Sequence, residues 1–254
     1  MASRSGATGA RVKGGSGPEI TRDALATAAL AVLDRDGLDG LSMRRVAVEL
    51  GVAAASLYWH VRNKEELLDL VADALFRDLN LDLPQADWRS QMYALAHLYR
   101  AYLKSRRDAV RVIGGRFISG PHSAQRMEVV LEVLRSAGFS RGDAAHAAYL
   151  IIVAYVQGFV LQEMVPMTAA EALGATPAEA MAIVADQLAT LPAADYPRIA
   201  ESVDLLTMLN LDDRFNFGLN RILDGLALTL TRTRTGADQG AWVGCGDQQP
   251  TTSP

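Results

Sequence analysis

The 254-residue sequence predicts an all-α protein. Three observations predict it: alternating β-branched runs are scarce, apolar residues recur three and four positions apart almost throughout, and Ser, Thr or Asn caps precede these periodic segments. No self-similarity recurs at a fixed period of roughly 20 to 50 residues, which disfavours a solenoid.

Thr21 caps the first helix, which buries Leu25, Ala28, Ala29, Val32 and Leu33 before Gly37 stops it. Ser42 caps a second, burying Val46, Ala47 and Leu50 and ending at Gly51. After a short turn a third helix spans about 53–60, with Leu57 and Val61 turned inward at i, i+4 and Ser56, Trp59 and His60 on another face. Asn63, with Glu66 three residues later, opens a fourth through Leu67, Leu68, Val71 and Leu75. Residues 80–87, which include Pro84, read as a loop. Helices follow near 88–105, 123–137, 143–164, 177–190, 197–209 and 212–232, punctuated by Gly114-Gly115, Gly120-Pro121, Ala137-Gly138 and the stretch 166–176. The expected organisation is a flexible arm (1–19), a helix-turn-helix domain (20–80), a larger helical body (81–232) and a disordered tail (233–254).

Half the residues are apolar, 21% are charged and the net charge is −4, values that exclude a polycation coating nucleic acid by charge alone. The one cysteine, Cys245, excludes an intramolecular disulfide framework and a cysteine zinc site, and suits a reducing cytoplasm. The first 20 residues carry Arg4, Arg11 and Lys13 but no apolar region of the kind a signal peptide needs. From Ala144 to Gln162 there is no Asp, Glu, Lys or Arg, but His146, Gln157, Gly158 and Gln162 interrupt the run. A helix buried by its own domain and by a second subunit is expected there, not a membrane span. Residues 1–64 hold 9 Lys+Arg against 6 Asp+Glu, and the remainder 16 against 23. That polarity suits a nucleic-acid-binding head on an acidic body, and ordinary solvated charge also produces it.

The short second and third helices and their tight turn have the proportions of a helix-turn-helix. Arg44, early in the second helix, is placed for a guanine edge or a phosphate; a solvated surface arginine is the alternative. Ser56, Trp59 and His60 are placed to meet backbone and bases, Trp59 and His60 alternatively covering the edge of the core. Lys64 opposes the macrodipole at the start of a helix, a position that a nearby phosphate explains better than stability does.

The string Gly40-Leu41-Ser42-Met43-Arg44-Arg45-Val46-Ala47-Val48-Glu49-Leu50-Gly51-Val52, followed by Ser56-Leu57-Tyr58-Trp59-His60-Val61-Arg62-Asn63-Lys64-Glu65-Glu66-Leu67-Leu68, resembles the tetracycline-repressor (TetR) family of transcriptional regulators. Trp88, Ser105-Arg106-Arg107-Asp108, Ala137-Gly138-Phe139-Ser140 and the segment 215–230 resemble its C-terminal domain, so the likeness covers about 20–232. The resemblance implies a homodimer on palindromic double-stranded operator DNA, released by an unidentified small-molecule effector, with no cofactor and no membrane. It places Tyr58 with its ring against the first helix and its hydroxyl toward a phosphate, a structural tyrosine being the alternative. Ala53, Ala54 and Ala55 stand where the tetracycline repressor has larger polar residues and a proline, implying a different operator. Ile113 and about Ala154 stand at its pocket histidines, so magnesium-tetracycline is not the expected effector and no metal site is expected. Tyr99, Ile113, Arg116, Phe117, Tyr149, Val153 and Gln157 match cavity positions, a mostly apolar and aromatic set that plain core filling also explains. Two readings of Arg116 stand side by side: balancing an anionic ligand, or projecting into water from a loop. His97 and His122 lack partners at ligand spacing. An enzyme is disfavoured by the absence of a phosphate loop, His-Glu-x-x-His or Gly-x-Ser-x-Gly, and a ligand-independent architectural dimer is the alternative function.

Overall fold

The computed structural model describes residues 20–114, 116, 120–207 and 210–234, and every regular element among them is helical. The arm, Phe117, Cys245 and the tail beyond 234 lie outside the described residues.

The head begins with α1 (Arg22–Gly40), opened by the Thr21 hydroxyl, which accepts the Ala24 N–H at 3.0 Å. Gly37 interrupts it at φ 74°, and a Cβ there would lie 2.9 Å from a carboxylate oxygen of Asp108, so both conformation and space require glycine. Ser42 accepts the Arg45 N–H at the start of α2 (Met43–Leu50), which Gly51 ends. Leu25, Ala28, Ala29, Val32, Leu33, Val46 and Ala47 are buried; Leu50 is half-buried.

The third helix is shorter than its sequence predicts. α3 (Ala54–Leu57) is one turn, and the chain continues through turns closed by Tyr58 N–H to Ala55 O and His60 N–H to Leu57 O. Its cap position is Ala53, which has no side-chain acceptor, and losing such a cap costs about 1 kcal/mol. Leu57 and Val61 are fully buried and anchor it to the head. Asn63 then caps α4 (Lys64–Arg77) by accepting the Glu66 N–H at 2.9 Å. The Glu66 carboxylate takes the N–H of Arg62 at 2.7 Å, one residue earlier than a reciprocal capping box would.

The body comprises α5 (Trp88–Ser105), α6 (Ala109–Ile113) and α7 (Pro121–Ser136), then one long run made of α8 (Arg141–Ala148), a π-helical segment (Tyr149–Gln157) and α9 (Gly158–Glu163). α10 (Val165–Leu173), α11 (Pro177–Ala189) and α12 (Pro197–Thr207) follow, each packed on the one before, and α13 (Leu211–Arg234) returns against α5 and the π segment. α10 occupies a stretch read as punctuation: Pro166 sits in its first turn, where a missing N–H costs nothing. α13 runs two residues past the expected boundary at 232.

The run Arg141–Leu173 is long and apolar enough to cross a membrane by length and composition, and 44% of its most apolar window is buried within the chain. Tyr149, Leu150 and Leu161 on this run, and Phe217 and Leu228 on α13, remain exposed in the single chain.

Candidate nucleic-acid interface and ligand cavity

The two short helices present a basic and aromatic surface. Trp59 is 90% exposed, an indole with almost no contact to its own chain, and Tyr58 is more than half exposed. Arg44, Ala53, Ala55 and Lys64 are exposed, Ser56 and His60 half-buried. Ala54 is half-buried and packs on the core of the head, so of the three alanines only Ala53 and Ala55 face outward. Of the adjacent arginines, Arg45 pairs with Asp36 at 3.0 Å, whereas Arg44 has no carboxylate partner among the described residues. Lys64 has none there either, while its neighbour Glu65 is taken by Arg116 and Glu66 by Arg62. Arg22 donates to the His60 carbonyl at 3.1 Å and ties the end of the recognition turn to α1. Val48, one turn beyond Arg44 and 74% exposed, belongs to the same face. Its position off the Val46 and Ala47 stripe was the available signal.

The body, together with the end of α4, lines a half-open cavity of about 720 Å³. Tyr99, Ile113, Arg116, Tyr149, Val153 and Gln157 all line it, while Phe117 lies outside the described residues. Tyr149, Val153 and Gln157, four residues apart, are brought onto one face by the π segment, a local widening often found at functional sites. The Gln157 amide donates to the Tyr99 hydroxyl at 2.9 Å, and burial pushes the Tyr99 phenol up, so that it stays a neutral donor.

Sequence reasoning missed the wall formed by Phe76, Leu79 and Leu81 at the end of α4 and by Ser123, Arg126, Met127 and Val130 of α7. The three- and four-residue spacing of the α7 set marks one helical face but does not say that this face turns inward. Ile113 supplies no metal-binding nitrogen, and Ala154 is exposed away from the cavity. No group of three or more His, Cys, Asp or Glu among the described residues fits a metal ion. His97 lies 2.9 Å from Asn216 Oδ1, between Tyr93 and Phe215.

α4 connects the two regions. Arg116, one lining residue, reaches back to Glu65 at 2.6 Å and Asp69 at 3.0 Å, so it neither projects into water nor stands uncompensated. The buried Asp73 carboxylate accepts the Ser123 N–H at 2.8 Å and the His122 N–H at 3.4 Å, capping α7 from α4. In return Arg126 donates from Nε to Phe76 O at 3.0 Å and from Nη2 to Arg77 O at 3.2 Å, capping α4 from α7. Gly120 is required by this approach, since a Cβ there would lie 2.0 Å from Asp73 Cγ.

Residues 25–71 match the family described as bacterial regulatory proteins, tetR family, and residues 81–230 match the tetracyclin repressor-like, C-terminal domain. The chain belongs to the TetR family of transcriptional regulators. Among TetR relatives, the HTH-type transcriptional repressor DrrR1 of Streptomyces coeruleorubidus is 34% identical over 89% of this chain and 84% of that protein. The tetracycline repressor class A of Escherichia coli, from transposon 1721, is also 34% identical, over 79% of this chain and 87% of its own. The TetR protein ActR of Streptomyces coelicolor, in a crystal structure with actinorhodin, superposes with a TM-score of 0.71 at 33% identity, covering 83% of this chain and 96% of that one. As a TetR regulator the protein is a DNA-binding transcription factor and not an enzyme.

Proposed function

We propose that the protein is a cytoplasmic, homodimeric repressor that a small, largely apolar or aromatic effector releases from a palindromic operator. The observation that carries this reading is the reach of α4. Its 14 residues, about 21 Å at 1.5 Å per residue, begin at Lys64 beside the recognition turn and end at Arg77, one residue past Phe76 in the cavity wall. A ligand that displaces the cavity end of one rigid helix moves the DNA end too. Two recognition helices then no longer meet successive major grooves, which lie about 34 Å apart or a multiple of it. A relative that is a named repressor and a structural neighbour seen with actinorhodin support the class of mechanism.

In this reading Arg44, Ser56 and His60 read bases, with Ala53 and Ala55 against thymine methyl groups, and Tyr58, Trp59 and Lys64 hold the backbone. The cavity groups Tyr99, Ile113, Tyr149, Val153 and Gln157 hold the effector, with Arg116 at their edge. The exposed Phe217 and Leu228, with Leu150 and Leu161, support the second copy of the chain as the body's partner. Selection from a random duplex pool at near-physiological salt tests the DNA half. An enriched palindrome is expected, and purely salt-dependent binding without enrichment would overturn the reading.

A further inference from the structure

We propose that the effector is an aromatic carboxylic acid and that Arg126 is both its anchor and the residue that passes its arrival to α4. The proposal rests on the reading of the cavity as the effector site and specifies the chemistry of that site. Among the described residues lining the cavity there is no Asp and no Glu, and the charged groups are the arginines 116 and 126. They differ in one respect. Arg116 is neutralised by Glu65 and Asp69, whereas Arg126 is bonded to two main-chain carbonyls and has no carboxylate partner among the described residues. The rest of the described wall is apolar or neutral, so Arg126 is a half-buried cation awaiting a counter-charge. A ring system fits the apolar walls, and a carboxylate on it matches the guanidinium fork.

The same guanidinium supports the C-terminus of α4. Its Nε holds the Phe76 carbonyl and its Nη2 the Arg77 carbonyl, while no hydrogen bond occupies Nη1 among the described residues. A carboxylate taken in two parallel bonds uses the end-on hydrogens of Nη1 and Nη2 and leaves the side-on pair on Phe76 and Arg77, so one guanidinium bridges the effector and the last turn of α4. Binding draws Arg126 toward the carboxylate and carries the last turn of α4 with it, shifting the helix whose other end carries Lys64. Specificity and transmission reside in one side chain.

The test uses the full dimeric chain and matched probes: naphthalene-, anthracene- and anthraquinone-2-carboxylates, each beside its neutral carboxamide. Affinities come from titration calorimetry. At least one acid is expected to bind about ten-fold or more tightly than its amide, the value of one charge-assisted hydrogen-bond pair. Arg126→Gln removes that preference, and Arg126→Lys retains part of it because the charge survives while the fork is lost. The thermal midpoint of each variant shows that it is folded. A bound acid also weakens the enriched operator duplex in the wild-type protein and not in Arg126→Gln. Acids and amides binding equally, or a preference that survives Arg126→Gln, overturns the anchor while leaving the cavity as a ligand site. A preferred acid that leaves operator affinity unchanged overturns the transmission. Binding by neither form of any scaffold overturns the cavity reading itself.

Discussion

Asp73→Ala removes the carboxylate with which α4 caps α7, and its consequences follow from a few distances. Pro121 has no N–H, and Gly120 offers no side chain, so Asp73 is the side-chain acceptor for the N–H groups of His122 and Ser123. Loss of a helix cap costs about 0.5–2 kcal/mol, and a buried unpaired donor about 1–3 kcal/mol. These costs overlap, giving about 2–3 kcal/mol. For a domain of this size that corresponds to about 4–12 °C in thermal midpoint, measured by circular dichroism at fixed protein concentration because the dimer is linked to folding. Asp73→Asn keeps an acceptor and loses the charge at the helix N-terminus, and should cost about 1 kcal/mol. Gly120→Ala supplies the sharper check. Alone it drives a Cβ into the Asp73 carboxylate and should cost about 1–3 kcal/mol, but combined with Asp73→Ala it meets no carboxylate and should add almost nothing. Additive costs in that double-mutant cycle, or an Asp73→Ala midpoint within 1 °C or so of wild type, would refute the reciprocal capping.

Two further outcomes follow. Trp59→Ala should weaken duplex binding by about ten-fold while leaving the thermal midpoint nearly unchanged, because a side chain 90% exposed contributes little to folding; a lowered midpoint would assign it to the core. Glu163, buried and held by Arg100 at 2.5 Å and Lys104 at 2.9 Å, has a carboxyl that burial alone would raise, but those two partners overcome burial and hold it below the usual range. Its stabilisation is therefore present above the unfolded value of about 4.3 and is lost as pH falls through the lower folded value. The midpoint gap between wild type and Glu163→Gln should accordingly shrink on acidification from neutral pH, and a gap that stays constant or widens would refute the sign.

The head was legible because its helix starts are chemical: Thr21, Ser42 and Asn63 each accept the N–H three residues on, as their side chains dictate. The length of α3 was less so, since Ala53 cannot cap and the shortened helix is held by the distant contacts of Leu57 and Val61. Pro166 misled because proline both breaks helices and begins them, and its neighbours decide which. In the cavity, apolar and aromatic residues were readable by matched position, but Ser123 and Arg126 look in sequence like the solvated face of a helix. They turn inward because Asp73 and Gly120 draw the start of α7 onto α4, a pairing across about 50 residues that no local pattern records. Arg116 was legible as a charge at the cavity, whereas its partners Glu65 and Asp69 lie on a helix of the other domain.

In the proposed mechanism cavity and operator share α4, and thermodynamic linkage probes that coupling. A compound that raises the thermal midpoint of the dimer should weaken the enriched duplex by some factor, about ten-fold or more, and the duplex should weaken that compound by the same factor. Equal factors in both directions are the predicted result. A compound that occupies the cavity and leaves duplex affinity unchanged, with both species bound at once, would contradict it.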